Sequence, residues 1–399
     1  MSGVTKHIAE QEKRNIISMW NKELKEINAI LPQHYTSKDI VATLMRFYPH
    51  EWNSVVVKVE YYRIKEKHLE RRGKKPRYEV EKPEKILESV SLYKSLMSCG
   101  TRERYAAAFD EQTRTQAEEV LWQKRKKKIE RIDQKIKQAK QRTQVVTPDF
   151  IDAMIGLYNR KRTSQKDRVY ILAELKKYYN IKIVRFLFKL NDTEVNEQLR
   201  DEAFYHLQSF GFQPRKRRQK YMQIHTKNRK RRWYLKNVYP KEKYDIPHNP
   251  DELEYRIKNA KEQKIKSYDY FISHSSKDSS SVQILIEHEN GERKNVFCDW
   301  ICDADYLKRH LLCEATLSVL KERLRQSKAI LFVDSPNSRK SVWCRYELNF
   351  FASLKKPIYV ISKKDIDTDN FHIHIMHGYW FKDQDYESMA LLKGKEIKG

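Results

Sequence analysis

The sequence contains no apolar run near the roughly 20 residues needed to cross a bilayer. Its first residues, MSGVTKHIAEQEKRN, also lack the apolar stretch of a signal peptide. These two absences predict a cytoplasmic protein without membrane contact. Cysteine is scarce: Cys99 stands alone, and Cys298, Cys302, Cys313 and Cys344 lie in the last third without the paired spacing of a disulfide framework. A zinc site from Cys298, Cys302, His310 and Cys313 would lack any C-x2-C pair, so small buried thiols are the plainer reading and no metal is predicted. Between Arg215 and Lys243 it is acid that is missing: thirteen Lys and Arg face Glu242 alone, a local net charge of +12.

What is present is enough to fold. At 399 residues the chain exceeds the usual single-domain range, and 39% hydrophobic residues with 12% aromatics can build sizeable cores despite 34% charge. The formal net charge is +27, yet Ser267 to Ser362 carries fourteen bases and twelve acids, only +2. The basicity therefore belongs to the first two thirds. In its densest part the cations are interleaved with Tyr221, His225, Trp233, Tyr234 and Tyr239. Polyphosphate attraction needs cations and base stacking needs aromatic faces. Arg215, Lys216, Arg217, Arg218, Arg231, Arg232 and Trp233 are therefore candidates for nucleic-acid contact. A solvated linker whose aromatics tuck into neighbouring domains fits the same pattern, because no spacing matches a known nucleic-acid module.

Residues 1–145 read as a basic helical region. In SKDIVATLMRFYP, Ser37 is a candidate N-cap, Ile40, Leu44 and Phe47 keep helical spacing, and Pro49 is a stop. SVVVKVEYY fits a strand, or a helix with Val57, Tyr61 and Ile64 on one face. From Thr115 to Arg142 an amphipathic helix carries Trp122, Ile129, Ile132, Ile136 and Ala139 in a stripe that needs a partner, either within the chain or from a second protomer. Residues 146–214 are helical, and the apolar run from Ile183 to Leu190 followed by Val195, Leu199, Ala203 and Leu207 resembles one HEAT-type helix pair. Residues 215–266 form the basic linker and, after Pro247 and Pro250, a short charged helix.

From residue 267 to 399 the texture changes. SYDYFISHS, KNVFCDW, KAILFVDS and PIYVISK read as strands that alternate with amphipathic helices, which implies βαβ units and a parallel sheet. A further edge strand and a final helix are expected in the closing segment. Ligands in such folds lie beyond the carboxyl ends of the strands. Those ends carry Ser273 to Asp278, then Asp299, Trp300, Asp303 and Asp305, then Asp334, Ser335, Asn337 and Ser338. Glu347 lies on the helix that leaves the third loop, among aromatic and apolar neighbours and four residues after Trp343.

The motifs YDYFISHSSKD, VFCDW, SKAILFVDSPNSRKSVWCRYEL and PIYVIS, in this order, closely resemble the bacterial type of Toll/interleukin-1 receptor (TIR) domain. The resemblance covers about Ser267 to Ser362. It implies a flavodoxin-like parallel sheet, so the fold expected for the whole is multidomain, α followed by α/β. Many such domains cleave NAD or cyclise its ADP-ribose, and others only assemble. The enzymatic members use a glutamate in a W-x-x-x-E arrangement, which Trp343 and Glu347 match. The resemblance also implies self-association through the loop from Asp299 to Leu307, although WICDADYL is acidic and lacks the glycine common there. It further implies a defence role, for which the basic N-terminal region is the expected sensor of a nucleic-acid or protein trigger.

The chemistry supports a carboxylate independently. Breaking the nicotinamide–ribose bond of NAD expels a neutral base and builds positive charge on the ribose carbon, which a nearby carboxylate stabilises without a cofactor. Glu347 is the expected catalytic residue. Ser273, His274, Ser275, Trp300 and Trp343 are the expected substrate contacts, with an indole face against the cationic nicotinamide. Two blander readings compete: Glu347 as a surface carboxylate paired with Arg345 or Lys340, and the Ser273–Ser276 loop as helix N-caps. At the level of function the rivals are a TIR scaffold without activity and a nucleic-acid-binding protein with a regulatory TIR domain.

Overall fold

The computed structural model describes residues 4–78, 80–212, 214, 224, 226–307 and 313–376. Arg215, Lys216, Arg217, Arg218, His310 and the expected final helix lie outside them. The chain divides into two compact units, one reaching from the N-terminus to Lys137 with a return segment that starts at Tyr205, the other joining Gln138–Phe204 to the later residues. Among the described residues no helix is long and apolar enough to cross a membrane.

The first unit is helical: α1 (Val4–Ile27), α2 (Ser37–Phe47), α3 (Pro49–Glu70), α4 (Pro83–Glu88), α5 (Ser91–Met97), α6 (Cys99–Ala107) and most of α7 (Glu111–Gln141). Thr36, not Ser37, caps α2, because its backbone amide meets Asp39 three residues on at 2.8 Å. Pro49 ends one helix and opens the next at N1, where a missing N–H costs nothing. SVVVKVEYY lies inside α3 and is helical; Trp52, Val55, Val59 and Tyr62 form its buried face, with Val57 and Ile64 only half-buried. On α7 the buried positions are Leu121 and Arg125, while Trp122, Ile129, Ile132, Ile136 and Ala139 are half-buried. The partner of that helix is within the chain. Arg125 donates to the Phe47 carbonyl and to Glu51, both at 2.8 Å, and lies over the Tyr48 ring.

The second unit opens with four helices, α8 (Ile151–Asn159), α9 (Gln165–Leu175), α10 (Ile181–Thr193) and α11 (Glu197–Ser209), the last of which runs on into the return segment. Then come α12 (Arg229–Asn237), α13 (Pro250–Asn259) and α14 (Lys261–Lys264). The α/β part follows as β1 (Tyr268–Ser273), α15 (Ser279–Gly291), β2 (Val296–Phe297), α16 (Asp299–Cys302), α17 (Glu314–Gln326) and β3 (Ser327–Asp334). It ends with α18 (Pro336–Arg339), α19 (Val342–Ser353), β4 (Ile358–Ser362), α20 (Lys363–Asp367) and β5 (His374–Ile375). The sheet order is β2-β1-β3-β4-β5, parallel except for the antiparallel edge strand β5. This is the flavodoxin-type order, and the expected edge strand is present. Ile330 to Val333 are fully buried in succession, as a parallel strand covered on both faces requires.

The outer edge of β2 is closed by a side chain. Buried Gln144 donates from Nε2 to the Val296 carbonyl at 2.7 Å and accepts the Val296 amide at 3.1 Å. One amide thus supplies both partners that another strand would offer there. Its own backbone is held in turn by Lys177 and Tyr179.

Candidate active site

Strand order determines where the site lies. β1 connects outward to β2, and the chain then returns to place β3 on the other flank of β1, so the connections diverge between β1 and β3. Ser273 ends β1 opposite Phe332 of β3, beside the loop that leads through α18 into α19. Ser341 caps α19 by accepting the Cys344 amide, which sets the helix to bring Glu347 back under the end of β1.

Glu347 is buried, and the fully buried Ser273 hydroxyl donates to its Oε2 at 2.6 Å. Among the described residues no cation pairs with it, so the surface pairing with Arg345 or Lys340 does not form. Burial pushes its pKa well above the ordinary carboxylate range; the Ser273 hydrogen bond lowers it in part, and the nearby Asp299 charge raises it again. A carboxylate removed from water without a cation is costly, and the fold retains it at the ligand end of the sheet.

The neighbouring residue builds a second pair. Trp300 Nε1 donates to His274 Nε2 at 3.1 Å, so the ring proton sits on Nδ1, 3.1 Å from the Ile272 carbonyl. Neutral His274 thereby fixes the indole of Trp300 beside the exposed Asp299, whose carboxylate accepts the Trp300 amide at 2.8 Å. Ser275 behaves as a cap, accepting the Lys277 amide. Trp343 shares a helix face with Glu347 but is half-buried, and it packs against the sheet core.

Two features of the loops are not legible in the sequence. Asp278, buried, accepts from Ser335 Oγ at 2.6 Å and Asn337 Nδ2 at 2.8 Å, tying the first loop to the third. Asp303, expected among the ligand-facing residues, is instead buried against Arg323 at 2.8 Å and Lys177 at 3.6 Å. Asp299, placed by sequence at the same strand end but not among the expected substrate contacts, is the loop acid that stays exposed beside Trp300. His274, Cys298 and Asp299 bring possible metal-ligating atoms within 4.8 Å of one another. Both His274 nitrogens are already engaged, and burial pushes the Cys298 thiol well above its ordinary range, so a cation would have to displace Trp300. Cys302 lies instead against Gln144 and the Val296 carbonyl, and Cys313 is exposed.

No family model and no solved structure matches the chain. A protein of Cytobacillus dafuensis named "Putative cyclic ADP-D-ribose synthase TIR2" is 33% identical over 365 residues, 92% of this chain and 93% of the relative. A protein of Bacillus cereus (strain MSX-D12) named "Probable 3' cyclic ADP-D-ribose synthase ThsB'" is 34% identical over 109 residues, 27% of this chain and 55% of the relative. With a relative matched over nearly the full length of both chains, and a mainly parallel five-stranded sheet carrying a buried glutamate at its switch point, the chain belongs to the bacterial TIR-type family.

Proposed function

We propose that the chain cleaves the nicotinamide–ribose bond of NAD, with Glu347 as the catalytic carboxylate and a cyclised ADP-ribose as the product. The observation that carries this reading is the buried, cation-free Glu347 held by Ser273 at the switch point between β1 and β3. As the glycosidic bond breaks, its electron pair leaves with nicotinamide and the ribose carbon turns cationic. The ionised Glu347 stabilises that charge and accepts ribose hydroxyls. The Trp300 indole, oriented by His274, offers its face to the pyridinium. A nucleophilic group of the same ADP-ribose then bonds to the ribose carbon and releases one proton, so no water enters. The names of the two relatives favour this closure over hydrolysis. A product made in this way, or the loss of NAD itself, suits a defence response triggered through the helical part of the chain.

The test is to incubate the purified protein with NAD and follow nicotinamide release together with product mass. Release by wild type and its loss in Glu347→Ala support the enzyme, and a product lighter than ADP-ribose by one water supports cyclisation. Activity that rises faster than protein concentration would indicate assembly of protomers. Silence of the wild type at high concentration would favour a scaffold.

A further inference from the structure

The basic motif that the proposed NAD chemistry leaves unused acquires a defined shape in α12. This helix, RKRRWYLKN, is capped by Asn228, which accepts the Arg231 amide at 2.9 Å. Behind it Asn196, fully buried, donates to the carbonyls of Tyr239 and Glu242 at 2.7 and 2.8 Å, while Tyr234 donates to the Glu242 carboxylate. The chain that carries α12 is therefore fastened to the helices beneath it. Of the aromatics that a linker would tuck into its neighbours, Tyr239 is buried but Trp233 is not.

The outward face is unusual in two respects. Trp233 is 62% exposed, although an indole is the side chain with most to gain from burial. The guanidinium groups around it are satisfied without losing their charge: Arg231 donates to the Lys161 carbonyl at 3.1 Å, and Arg232 to the Thr226 carbonyl at 2.7 and 3.1 Å. Among the described residues no carboxylate pairs with Arg229, Lys230, Arg231 or Arg232. The Arg231 contact also brings in the exposed turn Arg160, Lys161 and Arg162, which adds three more cations beside the helix.

We infer that α12 and the Arg160–Arg162 turn form a binding surface for single-stranded nucleic acid. The cations track the phosphates, and the face of Trp233 receives an unstacked base. Cations alone would suit any polyanion, and it is the exposed indole among them that selects a strand with free base faces. A duplex hides those faces inside its stack.

The experiment uses the full chain with fluorescent 20-nucleotide oligo-dT and oligo-U and a labelled 20-base-pair duplex, read by anisotropy at several salt concentrations, and vesicles of anionic phospholipid read by co-sedimentation. Binding of the single strands should weaken with salt along a log–log slope of about −0.7 for each phosphate neutralised. Trp233→Ala should weaken it about tenfold and Trp233→Phe should restore most of that, since stacking and not volume is lost. The pair Arg229→Gln and Lys230→Gln, at exposed positions, should make the salt slope shallower by about 1.4 with circular dichroism unchanged. Basal NAD cleavage should be the same in all of these variants. Three results would overturn the proposal: a Trp233→Ala protein that binds as wild type, duplex bound as tightly as single strand, or binding confined to vesicles of anionic phospholipid.

Discussion

Within the sheet-bearing unit, two of the regions that bury carboxylates treat them in opposite ways. At the carboxyl ends of β1 and β3, Glu347 has one hydroxyl donor and no cation. On the β2 side, Glu174 accepts from Lys266 at 2.7 Å, Lys177 at 2.9 Å and Gln263 at 2.9 Å, while Asp303 is held by Arg323. Burial alone would raise all three acids. It does raise Glu347, but around Glu174 and Asp303 the Lys177, Lys266 and Arg323 charges outweigh it and hold both acids below their ordinary range. Burial with opposite electrostatics thus sets Glu347, the carboxylate proposed for chemistry, apart from Glu174 and Asp303, whose charges are matched by cations. The helical unit offers a mixed case: burial and the neighbouring Glu51 push Glu23 up to about 8, although Arg125 holds Glu51 itself low.

The sharpest way to test this contrast is to remove the charges one at a time. Glu347→Gln should lower nicotinamide release by about 1000-fold. Because it deletes an uncompensated buried carboxylate, its thermal midpoint should equal or exceed that of wild type; a large drop would make Glu347 structural. Arg323→Leu should do the reverse, costing about 3 kcal/mol in denaturant unfolding because Asp303 stays buried without its main partner. Adding Asp303→Leu to Arg323→Leu should recover most of that loss, and failure to do so would mean the packing, not the charge, was at fault.

The pH dependence should split in the same way. The raised Glu347 stabilises the fold most while protonated, and that contribution is lost as pH rises from the ordinary carboxylate range through its folded value. Glu174 and Asp303 stabilise it above the ordinary range, and their share is lost as pH falls through their depressed values. Glu347→Gln should therefore gain stability over wild type progressively as pH rises above the ordinary carboxylate range, as melting curves across pH would show. Since the proposed reaction uses the ionised form, nicotinamide release should rise with pH over the same range. Ser273→Ala removes the hydrogen bond that favours the ionised form and should move that rise to higher pH. A smaller effect is expected at the sheet edge: Gln144→Ala leaves the Val296 amide unpaired and its carbonyl with only the Cys302 thiol, costs about 2 kcal/mol and should speed hydrogen exchange at the Val296 amide.

The strands, helices and order of the α/β part were legible because each depends on local patterning: the apolar run Ile330 to Val333 announces a buried parallel strand. The helix around Val55 was ambiguous because period 2 and period 3.6 cannot be told apart over a few β-branched residues. Within the site, Glu347 stood out as a lone carboxylate in an apolar helix. The loop acids after β2 could not be sorted, since Asp299 and Asp303 look alike in sequence. Only the arrival of Arg323 and Lys177 from distant elements sends Asp303 inward. Trp233 was visible as an aromatic among cations, but its exposure follows from the way Asn196 and Tyr239 anchor the segment behind it.

By itself, the sequence determined the alternation of strands and helices, the absence of a bilayer-length apolar run and the candidacy of Glu347, because these follow from patterns over roughly 20 residues or fewer. Which acid would be charged, which edge would be closed and which aromatic would stay outside were decided only by the tertiary structure. Those outcomes depend on desolvation and on partners brought from positions as distant as Gln144 and Val296, and no local pattern encodes such a meeting.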